Sequence, residues 1–500
     1  MLRLATPTVM HLDGYQDRRA QVEKFLTFTD KKVDFEYQKF KKAGHWYLKS
    51  HTQEEYDARL EELRSSRKRC ILFEDKGQLW TYSGLATTFE EEFGDTAITE
   101  YVLPEPDLIP WANIPKHEPR YYQLEAEDAL IEASAFGPAG VEIGTGLGKS
   151  FIIERLLKRL ALRSVVMSPS LNIANQIYDA MVEHFGKAKV GFYGDGKKEL
   201  GKLFTVAIGA SLRNIEFGSE AWDYFSEAPV FVADESHMCP ADTLQWVCFG
   251  LCAAAPYRFF FSGTQMRQDG LDLVLKGIVG KIVYRMSVQE GVDRGFLAKP
   301  VFKMCWVDSN VKDRDGNLRY HSDANKMTRM HMYYNSDVNA KAAEIVNKAV
   351  SLMERPTVIL IDEYEQFQHL LPLLRYEARF AHGPLDKKTK QLVPKEHWDS
   401  DPTELVEQFN NGDFPILVGT SCIATGTDIQ RVKMLVNLRG GMSEVEIRQA
   451  VGRTTRLFPG KEDCIYVDFG IKNIDVLKRH SERRCEILRE IYPSFQEMNL

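Results

Sequence analysis

Four short apolar runs, "SVVMSP" (164–169), "FTVAIG" (204–209), "PVFVADE" (229–235) and "YRFFFSG" (257–263), are separated by stretches of helical pattern. None of them alternates apolar with polar residues, as a strand with one face in water does. Strands read this way when helices cover both faces of a parallel sheet. A second series begins at "TVILID" (357–362) and continues through "ARFAHG", "FPILVGTS", "KMLVNL" and "DCIYVDF". The polar stretch "VDSNVKDRDGNLRYHSDANKM" between the two series reads as an exposed insertion. Two α/β domains in tandem are expected, over 106–300 and 301–477, with a helical tail over 478–500.

Residues 1–105 mix aromatics with charge and read as a small α+β domain. Aromatic-rich strands are expected around "FKKAGHW" in 25–49, and "RCILFEDKGQLWTYSG" (69–84) reads as a strand, a "DKG" turn and a second strand. The prolines of "LPEPDLIPWANIPKHEP" (103–119) mark a linker.

Composition narrows the class. A length of 500 residues suits two to four domains, and 44% hydrophobic with 27% charged residues is an ordinary globular balance. No stretch has the layout of a signal peptide and none approaches the ~18 apolar residues of a membrane span, so no membrane partner is expected. The eight cysteines are scattered. Cys248 and Cys252 could share a helix face, but no second pair completes a zinc set, so free thiols in a reducing cytoplasm are expected. A net charge of -7 excludes a globally basic nucleic-acid binder while leaving room for one basic groove.

The segment "VEIGTGLGKSFI" (141–152) carries the first specific chemistry. A phosphate loop aims backbone N–H groups at phosphate oxygens at a helix N-terminus, where the helix dipole favours anions. Gly144, Gly146 and Gly148 allow close backbone approach, Lys149 supplies a charge for the β/γ-phosphates of ATP, and Ser150 a hydroxyl for Mg²⁺. The strict G-x-x-x-x-G-K-[ST] pattern requires glycine where this chain has Ile143.

"VFVADESH" (230–237) is an apolar run ending in two carboxylates. Asp234 at the end of a strand can hold the Mg²⁺ shell, and Glu235 can polarise an attacking water. In "RQAVGRTTR" (448–456), Gln449, Arg453 and Arg456 stand at spacings of four and three, which places them on adjacent turns of a helix. Guanidinium groups so placed stabilise charge on a transferring phosphoryl group. Gly452 is a poor choice for an ordinary surface helix and points to a close approach.

Together these residues resemble the superfamily 2 helicases, whose first motif, A-x-x-G-x-G-K-[ST], is matched by "IGTGLGKS" (143–150) with Ile143 in place of alanine. Within that motif Thr145 joins the phosphate-binding set. The resemblance extends from 120 to about 470 and implies two RecA-like domains. In "RYYQLEA" Gln123 matches the glutamine that reads adenine, and "DESH" matches the D-E-x-H box, with His237 linking the ATP site to the other domain. "SPSLNIANQ" and "GASL" resemble motifs that contact the tracking strand, through Ser170 and Ser211. "FSGTQMRQDG" (261–270) matches the S-A-T-P-x-R-x-D-G form at Arg267, with Gly263 and Gln265 replacing alanine and proline. "GTSCIATGTDI" (419–429) resembles the motif that couples DNA to ATP, through Thr420, Gly426 and Asp428. "QAVGRTTR" matches Q-x-x-G-R-x-x-R, which makes Arg453 and Arg456 arginine fingers.

The layout of the N-terminal domain resembles phage UvsW-type helicases. This implies a phage-encoded, cytoplasmic, monomeric motor that unwinds and branch-migrates forked or four-way DNA, moving 3′ to 5′, in recombination, fork rescue or repair. Lys39, Lys41 and Lys42, with Phe40 and Trp46, form a basic–aromatic cluster. The aromatics are expected in the core, and the lysines suit either a solvated face or a grip on DNA. A duplex-DNA translocase, a restriction-type motor subunit and an RNA helicase share parts of the same motif set.

Overall fold

The computed structural model describes all residues except 108, 110–117, 266–268, 421, 422, 424–428, 443, 493–497 and 500, together with the side chains of 445, 449, 453, 498 and 499. It comprises two units. The first is Met1–Ile143 with Gly148–Arg285, and the second is Gly144–Leu147 with Met286–Leu500.

In the first unit, five N-terminal strands form a sheet in the order Phe73–Asp75, Gln78–Tyr82, Val9–Leu12, Leu2–Leu4 and Ala97–Thr99. The expected "DKG" turn is present. Asp75 pairs with Gln78, and both turn residues, Lys76 and Gly77, have positive φ (49° and 80°). Turns of that hand match the twist of the strands that they join. The sheet does not have a core of its own. Leu2, Leu4, Met10, Leu79 and Phe89 belong to one apolar cluster with Val274, Leu275 and Ile278, and Tyr82 stacks on Phe249 with ring centroids 4.1 Å apart.

"FKKAGHW" is helical rather than extended. It lies in the helix Lys31–Tyr47, which pairs with a second helix, Gln53–Ser66. Val33, Tyr37, Phe40, Gly44 and Tyr47 recur at helical spacing and form the inward side, so the aromatics that suggested strands are one helix face.

The rest of the first unit is built on the four apolar runs. Strands Val190–Gly194, Phe204–Ile208, Ser164–Ser168, Val230–Asp234, Tyr257–Ser262 and Ala139–Ile143 lie side by side and pair in parallel. In the second unit Ala378–Ala381, Ile416–Gly419, Thr357–Leu360, Met434–Asn437, Asp463–Ile471 and Lys299–Val307 do the same. The doubly covered α/β architecture read from the sequence is therefore present in both units. Parallel strands align their C-terminal ends along one edge, where open α/β sheets bind ligands.

The C-terminal helix Asp475–Ile491 is integral to the second unit rather than a free tail. It buries Leu477, Cys485, Ile487 and Leu488. Arg484, from the basic run "KRHSERR", is fully buried and pairs with Asp468 at 2.9 Å.

Candidate functional site

The strand Ala139–Ile143 ends where the helix Lys149–Leu160 is about to begin, and the turn between them is shaped by glycine. Gly146 and Gly148 have φ of 88° and 82°, a region that L side chains avoid. Gly148 has a second reason to lack a side chain, since a Cβ there would stand 2.6 Å from Gln123 Nε2. Gln123 is buried, with its Oε1 accepting a hydrogen bond from Arg120 N–H at 2.9 Å. The helix has no side-chain cap, so its first N–H groups and the positive end of its dipole face the turn.

Glu235, just past the strand two places along the sheet, reaches the head of this helix. Lys149 Nζ lies 3.4 Å from Glu235 Oε1, with the two side chains only 11% and 15% exposed. Glu235 directly follows the strand Val230–Asp234 and has φ 49° and ψ 46°, a left-handed conformation that is uncommon for glutamate. His237 Nδ1 lies 3.4 Å from Glu235 Oε2 and 3.0 Å from Ser262 Oγ. Burial alone would raise the Glu235 pKa, but Lys149 and His237 outweigh it and hold the carboxylate below its usual range. Asp234 behaves in the opposite way. Burial, reinforced by the charge on Glu235, raises its pKa.

Asp234 Oδ1 is buried and has no hydrogen-bond partner. An orphaned carboxylate oxygen at a strand end fits a divalent cation, because Mg²⁺ binds through one or two carboxylates plus phosphate oxygens. Ser150, the second residue of the helix, supplies the matching hydroxyl.

A further link was invisible from the sequence. Gln265 Nε2 donates to Ser236 Oγ at 2.7 Å, and Ser236 Oγ donates to the Phe261 carbonyl at 3.1 Å. Ser236 thus ties the end of the carboxylate strand to strand Tyr257–Ser262, and Gln265, a departure from the usual proline, donates to the same hydroxyl.

Ser170 sits at the N-cap of the helix Leu171–Phe185, and its Oγ is buried without a partner. Ser211 lies in the short helix Gly209–Arg213, which follows the adjacent strand. Both therefore stand at the C-terminal edge of the sheet that carries Asp234. Arg267 lies outside the described residues.

In the second unit, Thr420 follows the strand Ile416–Gly419 and is buried. Gly426 and Asp428 lie outside the described residues. Gln449 and Arg453 stand one turn apart on the helix Glu444–Thr454, with side chains outside the described residues. Arg456 lies two residues beyond that helix, so helical spacing relates the first pair and not the third residue. Burial lowers the Arg456 pKa to about 10. The close approach signalled by Gly452 is present within this unit, because a Cβ at Gly452 would overlap Thr145 of the glycine turn. A Cβ on Gly146 would stand 3.4 Å from Arg456 Cγ.

Lys39, Lys41 and Lys42 are exposed on the helix Lys31–Tyr47. Phe40 is half-buried rather than in the core, stacked on Tyr56 with ring centroids 5.2 Å apart. Trp46 is not in the core, being 62% exposed.

Comparison with known proteins places two matches along the chain. Residues 116–267 match the family model described as "Type III restriction enzyme, res subunit", and residues 341–458 match "Helicase conserved C-terminal domain". "Putative helicase 22" of a Sulfolobus islandicus filamentous virus is 22% identical over 411 residues, covering 77% of this chain and 71% of that protein. "DNA 3'-5' translocase XPB2" of Sulfurisphaera tokodaii is 20% identical over 370 residues, covering 70% and 81%. Among solved structures, a fragment of a putative HsdR subunit of a type I restriction enzyme from Vibrio vulnificus superposes with a TM-score of 0.54 at 17% identity, covering 78% of this chain and 70% of that one. T4 UvsW covers 100% and 99% at 14% identity, with a TM-score of 0.42, too loose a superposition to bear on function.

Proposed function

We propose that this chain, which belongs to the superfamily 2 helicases, unwinds and branch-migrates forked or four-way DNA, moving 3′ to 5′, in recombination, replication-fork rescue or repair. ATP-dependent helicase activity accompanies the family's two RecA-like domains. One observation carries the motor chemistry: Lys149 and Glu235 lie 3.4 Å apart beneath an uncapped helix N-terminus, beside a carboxylate oxygen of Asp234 that has no partner. The choice of DNA and of polarity is supported by the named activity of the Sulfurisphaera translocase, which aligns with 70% of this chain. The choice of branched substrates rests on the sequence resemblance to UvsW-type helicases alone, because "FKKAGHW", expected there in a strand, is helical.

ATP enters with its phosphates on the N–H groups of Gly144–Ser150 and its adenine toward Gln123. Lys149 moves from Glu235 to the β/γ-phosphates. Asp234 and Ser150 would hold Mg²⁺, which would supply positive charge against the phosphates. Glu235, kept ionised by its surroundings, accepts a hydrogen bond from the attacking water and aims its lone pair at the γ-phosphorus. Arg453 and Arg456, with Gln449, stabilise charge on the transferring group. His237 and the Ser236–Gln265 bond pass the change at Glu235 to the segment that contains Arg267. Gly426 and Asp428 couple the nucleotide to the strand. Ser170, Ser211 and Thr420 hold strand phosphates without reading bases. When grip alternates between the two domains, opening and closing become translocation.

A second reading, a translocase that moves along duplex DNA without separating it, is favoured by the match of residues 116–267 to the family of type III restriction enzyme res subunits. A matched panel at one salt concentration decides: a four-way DNA junction, a DNA fork, a tailed DNA duplex and a tailed RNA duplex. Preferential separation of junction and fork is expected. ATP consumption on plain duplex with no strand released establishes the second reading, and efficient separation of the RNA duplex overturns both.

A further inference from the structure

The helix Lys31–Tyr47 and its partner Gln53–Ser66 form a hairpin that rises from a two-stranded ribbon, in which Thr27–Thr29 pairs antiparallel with Lys68–Cys70. Because the ribbon brings both ends of the hairpin together, its tip lies one helix length away, about 25 Å at 1.5 Å per residue. Within the two helices only Gly44 and Leu63 are buried. Phe40, Tyr47 and Tyr56 hold the pair together, and Gly44 makes room for Tyr56, whose hydroxyl would stand 2.7 Å from a Cβ there.

Opposite this packed side runs a stripe of another kind. At 100° per residue, Lys31, Phe35, Lys39, Lys42 and Trp46 fall within about 80° of one another, and Lys49, two residues past the helix end, joins them through its contact with Trp46. All six are exposed, Phe35 at 68% and Trp46 at 62%. No carboxylate lies among them. Asp34 sits to one side, paired with Arg67 at 2.6 Å, and Glu36 projects from the inward half. Lys49 Nζ stands 3.6 Å from the centre of the Trp46 ring.

Four lysines without an acid call for a polyanion, and two large exposed rings interleaved with them call for flat apolar faces on that same ligand. An unpaired nucleic-acid strand offers both, with phosphates for the ammonium groups and base faces for stacking. An intact duplex offers only the phosphates, because its base faces are already stacked. We infer that the outer face of this hairpin, through Phe35, Trp46, Lys39 and Lys42, binds an unpaired DNA strand where it leaves a branch point. The inference rests on the DNA reading above and gives the N-terminal segment its part in that reaction.

The test uses the full-length chain and a fluorescent DNA fork with single-stranded arms, titrated by anisotropy over a range of salt, with a blunt duplex of the same sequence as control. Phe35→Ala/Trp46→Ala should weaken fork binding by about tenfold or more, as loss of two stacking platforms does, and leave blunt-duplex binding within about twofold. Lys39→Ala/Lys42→Ala should make the salt dependence of fork binding shallower by about 1.4, two phosphate contacts at ~0.7 each. Unchanged thermal melting excludes misfolding as the cause. Equal fork affinity of both variants and wild type overturns the inference and leaves the DNA motor standing. Equal losses on fork and blunt duplex overturn the unpaired-strand assignment in favour of a duplex grip. Wild-type chain that binds neither DNA overturns the DNA reading itself. If the double aromatic variant keeps wild-type DNA affinity but loses an interaction with an acidic protein, the stripe is a protein-docking face and the inference fails.

Discussion

Lys149 and Glu235 form an ion pair at 3.4 Å, each largely shielded from water, one at the head of a helix and the other just past the end of a strand. The pair joins the group that would hold the phosphates to the group that would activate the water. An arriving γ-phosphate would compete with Glu235 for the same ammonium, which would make nucleotide binding and release of the carboxylate one event.

Replacing Glu235 with Gln removes the negative charge and the basic oxygen while keeping the shape. ATP binding should persist and single-turnover hydrolysis should fall by ~10²–10⁴-fold, the range for loss of a positioned general base. Unchanged turnover would assign the water to another residue.

Asp234 and pH should be linked through Mg²⁺. Its pKa is raised by burial and by Glu235, so it takes up a proton above the ordinary carboxylate range as pH falls. In linkage terms, the stability contribution of such a carboxyl is present below its unfolded pKa and is lost as pH rises through the folded value. A cation on the carboxylate opposes that loss. The acid limb of ATPase activity should therefore lie above pH 4 or so and move to lower pH as Mg²⁺ is raised. A limb that ignores Mg²⁺ would remove Asp234 from the metal site.

Arg456 is the described member of the arginine set, and burial already lowers its pKa to about 10. Arg456→Ala should leave ATP affinity largely intact and cut turnover by ~10³-fold or more. Loss of affinity with unchanged turnover of bound ATP would make it a binding group instead.

The strands were legible because both faces of each sheet are covered, leaving apolar runs that need no alternation to be recognised. The glycine turn was legible because backbone shape demands that residue, as the φ values of Gly146 and Gly148 bear out. The hairpin reads as strands in the sequence because its inward face is aromatic, although the spacing of Tyr37, Phe40 and Tyr47 is helical. The Ser236–Gln265 bond joins residues 29 apart across neighbouring strands and has no signature until the strands are paired. Arg456 escaped its helix because the turn at Thr455 ends the periodicity one residue earlier.

Gly452 tests a close contact seen within the second unit. Gly452→Ala should favour the helix by about 1 kcal/mol on propensity but force Thr145 to move. Overpacking of this size costs about 1–3 kcal/mol, so the melting temperature should fall only modestly. Turnover should drop more steeply, by ~10²-fold, because a small displacement of the phosphate loop misplaces the reacting groups. Full activity in this variant would show that the contact has no part in the cycle.

The most direct test of the central claim measures DNA-stimulated ATP hydrolysis and DNA binding side by side in the wild type and in Lys149→Ala. The wild type should hydrolyse ATP in response to DNA, whereas the variant should bind DNA with nearly unchanged affinity and hydrolyse none. Retained hydrolysis in Lys149→Ala would contradict the assignment of the glycine turn as the phosphate site and, with it, the motor mechanism built on that site.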